Sequence, residues 1–215
     1  MSIISLWRNQ NILIIFLAAA IIFLLGLVDD IRRLSPGLKF LGQVAAVLLL
    51  LFSGIYIRIL EYDEFYLGGP KDLYLWLDYL LTFLWVIGVT NAFNLVDSMD
   101  GLAVGLSAFA YAFFMLATYA SQQVDISLLS AILLGICGGV NFFNSAPARM
   151  FLGDSGAQLL GFLLAVIAIV YTPAEALQAS SWFVPILLVG VPIFDTTRVV
   201  FSRSRRRVHF YQSNL

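Results

Sequence analysis

Residues 11–33 read NILIIFLAAAIIFLLGLVDDIRR. The run from Asn11 to Val28 carries no charged side chain, and two aspartates and two arginines follow it at once. A helix needs about 20 mostly apolar residues to cross a hydrocarbon core, so this stretch predicts a membrane span closed by a polar end. Working outward, comparable runs recur at 38–57, 74–96, 102–120, 127–144, 156–172 and 182–201, which predicts seven spans. Turn chemistry marks the breaks: Ser35-Pro36-Gly37, Gly68-Gly69-Pro70, Ser145-Ala146-Pro147 and Thr172-Pro173. The fold class is therefore an all-α polytopic membrane protein, read as one domain over 1–215.

Composition agrees. Hydrophobic residues make up 61% of the 215, and the mean hydropathy is +0.93, well above a soluble domain. The single cysteine, Cys137, excludes an internal disulfide and a cysteine-based metal site, and it reads as a packing residue. The single histidine, His209, leaves no histidine-based zinc site, and no G-x-x-x-x-G-K-[ST] loop is present.

The net charge of −1 hides an asymmetry. Acidic clusters follow the first, third and fifth spans: Asp29–Asp30, Asp97 with Asp100, and Asp154. The basic Arg205–Arg207 run follows the seventh. Odd-numbered exits open on one side, so parity places all of them on one membrane face. Arg32, Arg33, Lys39, Arg149, Arg198 and Arg203 share it, whereas Arg8, Arg58 and Lys71 fall opposite, among Glu61, Asp63, Glu64, Asp72, Asp78, Asp125 and Glu175. By the positive-inside rule the shared face is cytoplasmic, which puts Met1 outside. That placement is expected of a chain lacking preceding spans.

Carboxylates near lipid are costly and usually serve an ion, a proton or a polar substrate. Taken singly, each cluster also has a plain reading: Asp29–Asp30 as a helix-end cap, NAFNLVDSMDG as a capped helix break, and Asp154 as a favourable charge at a helix N-terminus. Asp195 and Arg198 read as a local ion pair, and the basic tail as a headgroup anchor. Together, clustered Asp and Asn oxygens beside Lys and Arg suit a phosphate-bearing substrate bridged by a hard cation such as Mg²⁺.

Four segments carry a specific resemblance: GLVDDIRRLSPGLKFLGQ (26–43), TNAFNLVDSMDGLAVGLS (90–107), FFNSAPARMFLGDSG (142–156) and PILLVGVPIFDTTR (185–198). Here the sequence resembles the polyprenyl-phosphate N-acetylhexosamine-1-phosphate transferases, membrane enzymes that initiate cell-envelope polysaccharides. The combination N-x-x-N-x-x-D-x-x-D-G-L-A with F-x-G-D-[ST]-G is the discriminating part. The resemblance implies a bundle of ten or eleven helices in the bacterial inner membrane, with its active site on the cytoplasmic face. It implies transfer of a sugar-1-phosphate from a UDP-N-acetylhexosamine to polyprenyl phosphate with release of UMP, using Mg²⁺ or Mn²⁺. Nucleic acid is not an expected partner; a homodimer is compatible.

Carried over by motif, Asp29 and Asp30 match the catalytic pair, as base or as nucleophile. Lys39 matches a substrate-phosphate contact, and Asn94 and Asp154 match metal ligands. Asp97, Asp100, Asn144 and Phe151 match the nucleotide and diphosphate site, with Phe151 placed to stack on uracil. The chain departs from the family at three points: it begins near the fourth family helix, it lacks the H-x-H-H loop after the last match, and Ser98 stands where Gly is usual. An ion-coupled transporter remains an alternative, though such proteins place acids near the midplane. A CDP-alcohol phosphotransferase is disfavoured, because Asp100-Gly101-Leu102-Ala103-Val104 lacks the D-G-x-x-A-R continuation. An inactive family fragment is the third alternative.

Overall fold

The computed structural model describes residues 3–60, 70–171, 182–190 and 192–194, with side chains from Ile12 onward. Every element among them is helical: α1 (Ile3–Arg32), α2 (Pro36–Phe52), α3 (Lys71–Val96), α4 (Leu102–Ala120), α5 (Val124–Asn144), α6 (Gly153–Val170) and the short α7 (Phe183–Leu188). Five are long and apolar enough to cross a membrane: Ile12–Arg32 of α1, and α3, α4, α5 and α6. Leu13, Trp76, Phe109 and Ile132 project outward from these helices, as expected of a chain whose outer surface meets lipid.

The second span is shorter than the sequence predicts. Helix α2 ends at Phe52 instead of continuing to 57, a length of about 25 Å. Ser53 turns its hydroxyl onto the Leu49 carbonyl at 2.7 Å, and Gly54 takes φ +77°. The backbone beyond then finds partners on α3. Ile57 N–H donates to Thr82 Oγ1 at 2.9 Å, and Leu60 N–H donates to Asp78 Oδ1 at 3.1 Å. Asp78 is fully buried. The predicted seventh span is seen only in its first half. Residues 195–201, the acids Glu61, Asp63, Glu64 and Glu175, Asp195, Arg198, the Arg205–Arg207 run and His209 lie outside the described residues.

Helix α6 is the axis of the bundle. Residues from Leu160 to Ile169 are buried without interruption, and α1, α3 and α4 all pack on it. A helix apolar all round belongs in a core, and this one is enclosed by other helices. Close approach is set by small residues: a Cβ on Gly26 of α1 would stand 2.4 Å from the Ser155 Cα. One on Gly161 would meet the Phe93 Cβ at 2.8 Å. Polar side chains tie neighbours to its carbonyls. Tyr111 Oη donates to Leu160 O at 2.8 Å, and Trp85 Nε1 donates to Ala165 O at 3.1 Å.

Candidate active site

The three acidic clusters meet at one end of this bundle, around the N-terminus of α6. The first turn of a helix leaves backbone N–H groups without intrahelical acceptors. Asp30, at the end of α1, fills that need across 124 residues of sequence. Its Oδ1 accepts the Asp154 N–H at 2.8 Å, and its Oδ2 accepts the Ser155 N–H at 3.1 Å and the Ser155 hydroxyl at 2.7 Å. The helix dipole favours the same placement. Gly153 makes it possible, since it takes φ +70° and a Cβ there would stand 2.8 Å from Asp30 Oδ2.

Asp29 points elsewhere, because adjacent helical residues are rotated by about 100°. It is buried, its Oδ1 accepts the Leu34 N–H at 2.6 Å, and its Oδ2 forms an ion pair with Lys39. Lys39 Nζ also donates to Asp154 Oδ2 at 2.6 Å. One ammonium thus bridges the first and third clusters, joining α1, α2 and α6.

The second cluster divides. Asp97 follows the last residue of α3, with its backbone N–H bonded to Phe93 O. Its carboxylate is half-buried and accepts no hydrogen bond among the described residues. Burial, with the negative charges of Asp154 and Asp30, pushes it up to about 6. Asn94, one turn earlier and half-buried, likewise leaves its amide without a protein partner among the described residues. Asp100 instead accepts the Ala148 N–H at 3.0 Å. Asn144 is buried with both ends of its amide engaged: Oδ1 accepts the Gly101 N–H at 3.1 Å, and Nδ2 donates to Met150 O at 2.8 Å. Asp100 and Asn144 therefore shape the 145–151 loop, and Phe151 stands exposed at its end. Gly101 takes φ +73°, whereas Ser98 has no positive φ, so serine there causes no backbone strain.

Sequence reasoning passed over Gln43, Asn91 and Gln158, which form a hydrogen-bonded group just beneath these acids. Gln43 Nε2 donates to Asn91 Oδ1 at 3.2 Å and to Gln158 Oε1 at 3.0 Å, and Asn91 Nδ2 donates back to Gln43 Oε1 at 2.8 Å. The available signal was spacing: Gln43 lies four residues after Lys39, Gln158 four after Asp154, and Asn91 three before Asn94.

The donor set suits a hard cation. Asp97 and Asn94 offer uncommitted oxygens, and the carboxylates of Asp29, Asp30, Asp97 and Asp154 outnumber the one ammonium bonded among them. Among the described residues no three acidic, histidine or cysteine side chains are placed to hold a metal ion together. Mg²⁺ tolerates that, since it typically keeps waters and takes one or two carboxylates plus substrate phosphates.

Fold and site together define a helical membrane protein with a carboxylate-, amide- and ammonium-lined site at one end of its bundle. Residues 12–172 match the family described as Glycosyl transferase family 4, and the chain belongs to that family. Over 203 residues it is 32% identical to a Bacillus subtilis protein named "Probable undecaprenyl-phosphate N-acetylglucosaminyl 1-phosphate transferase", covering 93% of this chain and 54% of that protein. It is 30% identical over 210 residues to a "Phospho-N-acetylmuramoyl-pentapeptide-transferase" of Listeria monocytogenes serotype 4b, covering 88% and 58%. A protein of the same name from Heliobacterium modesticaldum is 37% identical over 160 residues, covering 68% and 48%. The chain spans about half the length of the curated relatives it matches.

Proposed function

We propose that this protein transfers a sugar-1-phosphate, an N-acetylhexosamine-1-phosphate, from a UDP-sugar to undecaprenyl phosphate, on the cytoplasmic face of a bacterial plasma membrane. The observation that carries the reading is the junction of Asp29, Lys39 and Asp154 on three helices, in a chain of this family. An oxygen of the lipid phosphate forms a bond to the sugar-bearing phosphorus, the bond to the uridylate oxygen breaks, and UMP leaves.

Both reactants are anions, so charge neutralisation is the main demand on the site. Lys39 meets part of it, being placed where a phosphate oxygen can take the position that a carboxylate oxygen holds. Asn94 and Asp154 would hold Mg²⁺ or Mn²⁺, with Asp97 beside them, and a bound cation supplies Lewis-acid neutralisation of the diphosphate. Of the aspartate pair, Asp29 is the one toward the reacting phosphate, because it shares Lys39 with Asp154. Asp30 acts by fixing the start of α6. The lipid phosphate is already largely ionised near neutral pH, so proton removal by Asp29 is the smaller contribution. Phe151, exposed beside α6, is available to stack on the uracil ring. Helix faces left outward-facing by the bundle would bound the groove for the polyprenyl tail.

The test is transfer of radiolabelled sugar-phosphate from UDP-N-acetylglucosamine to undecaprenyl phosphate. The chain should be assayed alone and within a version extended at both ends. Label in the lipid phase that depends on divalent cation supports the reading; no label with either version, across a panel of UDP-sugars, overturns it.

A further inference from the structure

We infer that the amide group Gln43–Asn91–Gln158, with Gln43 and Gln158 buried and Asn91 half-buried, is the positioning layer of the site, setting the cation-binding geometry of Asn94 and Asp154. This rests on the reading above only in taking those residues as the cation's ligands.

The argument starts from placement. The three amides sit on α2, α3 and α6, each about one helical turn deeper in the bundle than Lys39, Asn94 and Asp154 respectively. Residues three or four apart share a helix face, so fixing the inner residue fixes the rotation of the outer one. Gln43 uses both hydrogens of its amide, one toward each partner helix, and the bond with Asn91 is reciprocal. Asn91 Nδ2 also donates to Ile87 O at 2.8 Å, which pins its own side chain to α3.

The packing shows why such a lock has work to do here. Helix α2 packs along α1 and α3 but has little backbone contact with α6. Two polar ties join it to α6 among the described residues: the Lys39–Asp154 pair at the surface and the Gln43–Gln158 bond beneath it. Substrate phosphates or a cation arriving at Asp154 compete for the first tie. The second is buried, with Gln43 and Gln158 4% and 3% exposed, and is untouched by that competition. Amide hydrogen bonds between neighbouring membrane helices add modest adhesion, and unlike apolar packing they are directional, so they also fix the rotation of each helix. They are a good choice for register.

The experiment is a Mn²⁺ titration of the detergent-purified full chain, followed by electron paramagnetic resonance, with thermal melting of each variant alongside. Gln43→Met and Gln158→Met remove the amides at nearly constant volume. Each is expected to weaken Mn²⁺ binding by about 10-fold or more, the range seen when groups supporting metal ligands are lost. Tyr111→Phe deletes a buried hydrogen bond onto α6 from the far side and should leave the Mn²⁺ dissociation constant unchanged. Should either Met variant aggregate, Gln158→Asn, one methylene short of reaching Gln43, is read in the same titration. Unchanged Mn²⁺ binding in the amide variants, an equal loss in Tyr111→Phe, or no Mn²⁺ binding by the parent chain each overturns the inference. Mn²⁺ binding that responds as expected, with no sugar-phosphate transfer by the chain or by its extended version across the panel of UDP-sugars, sinks the proposed function and leaves the positioning layer standing.

Discussion

Lys39 Nζ lies 2.6 Å from Asp154 Oδ2 across 115 residues of sequence, and the same ammonium pairs with Asp29. Removing it leaves two carboxylates facing each other with no counter-charge. Lys39→Ala is therefore expected to lower kcat/KM for the UDP-sugar by about 100-fold, the scale of losing one stabilising donor in a transition state that gathers charge. Steady-state kinetics across UDP-sugar concentrations check this. An unchanged kcat/KM would remove Lys39 from the phosphate-binding role.

Asp154 is expected to be less replaceable still. Asp154→Asn keeps the size of the side chain and its place in the first turn of α6 but loses the charge that pairs with Lys39 and that the proposed cation would use. Transfer should fall to background, and added Mg²⁺ up to tens of times the parent's half-saturating level, roughly the second-shell-to-ligand range, should not restore it. Substantial Mg²⁺-stimulated transfer by this variant would falsify the ligand assignment.

Much of this was legible in the sequence because lipid imposes a length on helices, and the count of helices sets which ends fall together. Parity alone brought Asp29–Asp30 and Asp154 to one face, and they do meet there. What stayed hidden turns on single-residue rotations. Nothing in the letters Asp29-Asp30 says that one carboxylate faces Lys39 while its neighbour caps α6. Asn144 is matched by motif to the nucleotide and diphosphate site, and no letter shows that its amide also holds the Gly101 N–H and the Met150 carbonyl. The early end of α2 was obscured because Ile55 and Ile57 continue an apolar run while their backbone has left the helix. The amide layer was obscured for the converse reason. One Gln in an apolar helix gives no periodic signal, and its meaning depends on two other helices.

The capping role of Asp30 predicts coupling between two distant positions. Asp30→Ala strands the N–H groups of Asp154 and Ser155, and each unmet buried donor costs about 1–3 kcal/mol, less where water reaches it. Gly153→Ala should be comparably harmful, because its Cβ would press on the same carboxylate and its φ of +70° disfavours a side chain. Once Asp30 is gone the steric part of the Gly153→Ala penalty disappears. Melting temperatures of the two single variants and the double variant should therefore be less than additive. Strict additivity would mean that Asp30 and Gly153 do not act on each other.

Asp97 gives the site a pH dependence whose sign is fixed by its surroundings. Its folded-state pKa is raised from 3.8 to about 6, chiefly by burial and then by the charges of Asp154 and Asp30. The folded protein therefore holds this proton more tightly than the unfolded chain. The resulting stabilisation is present at low pH and is lost as pH rises through about 6. Without divalent cation, the melting temperature should fall as pH rises from about 4 to about 6, by an amount that Asp97→Asn removes. A cation bound nearby opposes the trend, because it favours the ionised carboxylate. Binding should then release a proton, and the Mg²⁺ level needed for half-maximal transfer should climb as pH drops below about 6. In Asp97→Asn that climb should flatten. A parent protein whose Mg²⁺ requirement is the same at pH 5.5 and 7.5 would mean that Asp97 lies outside the field of the bound cation.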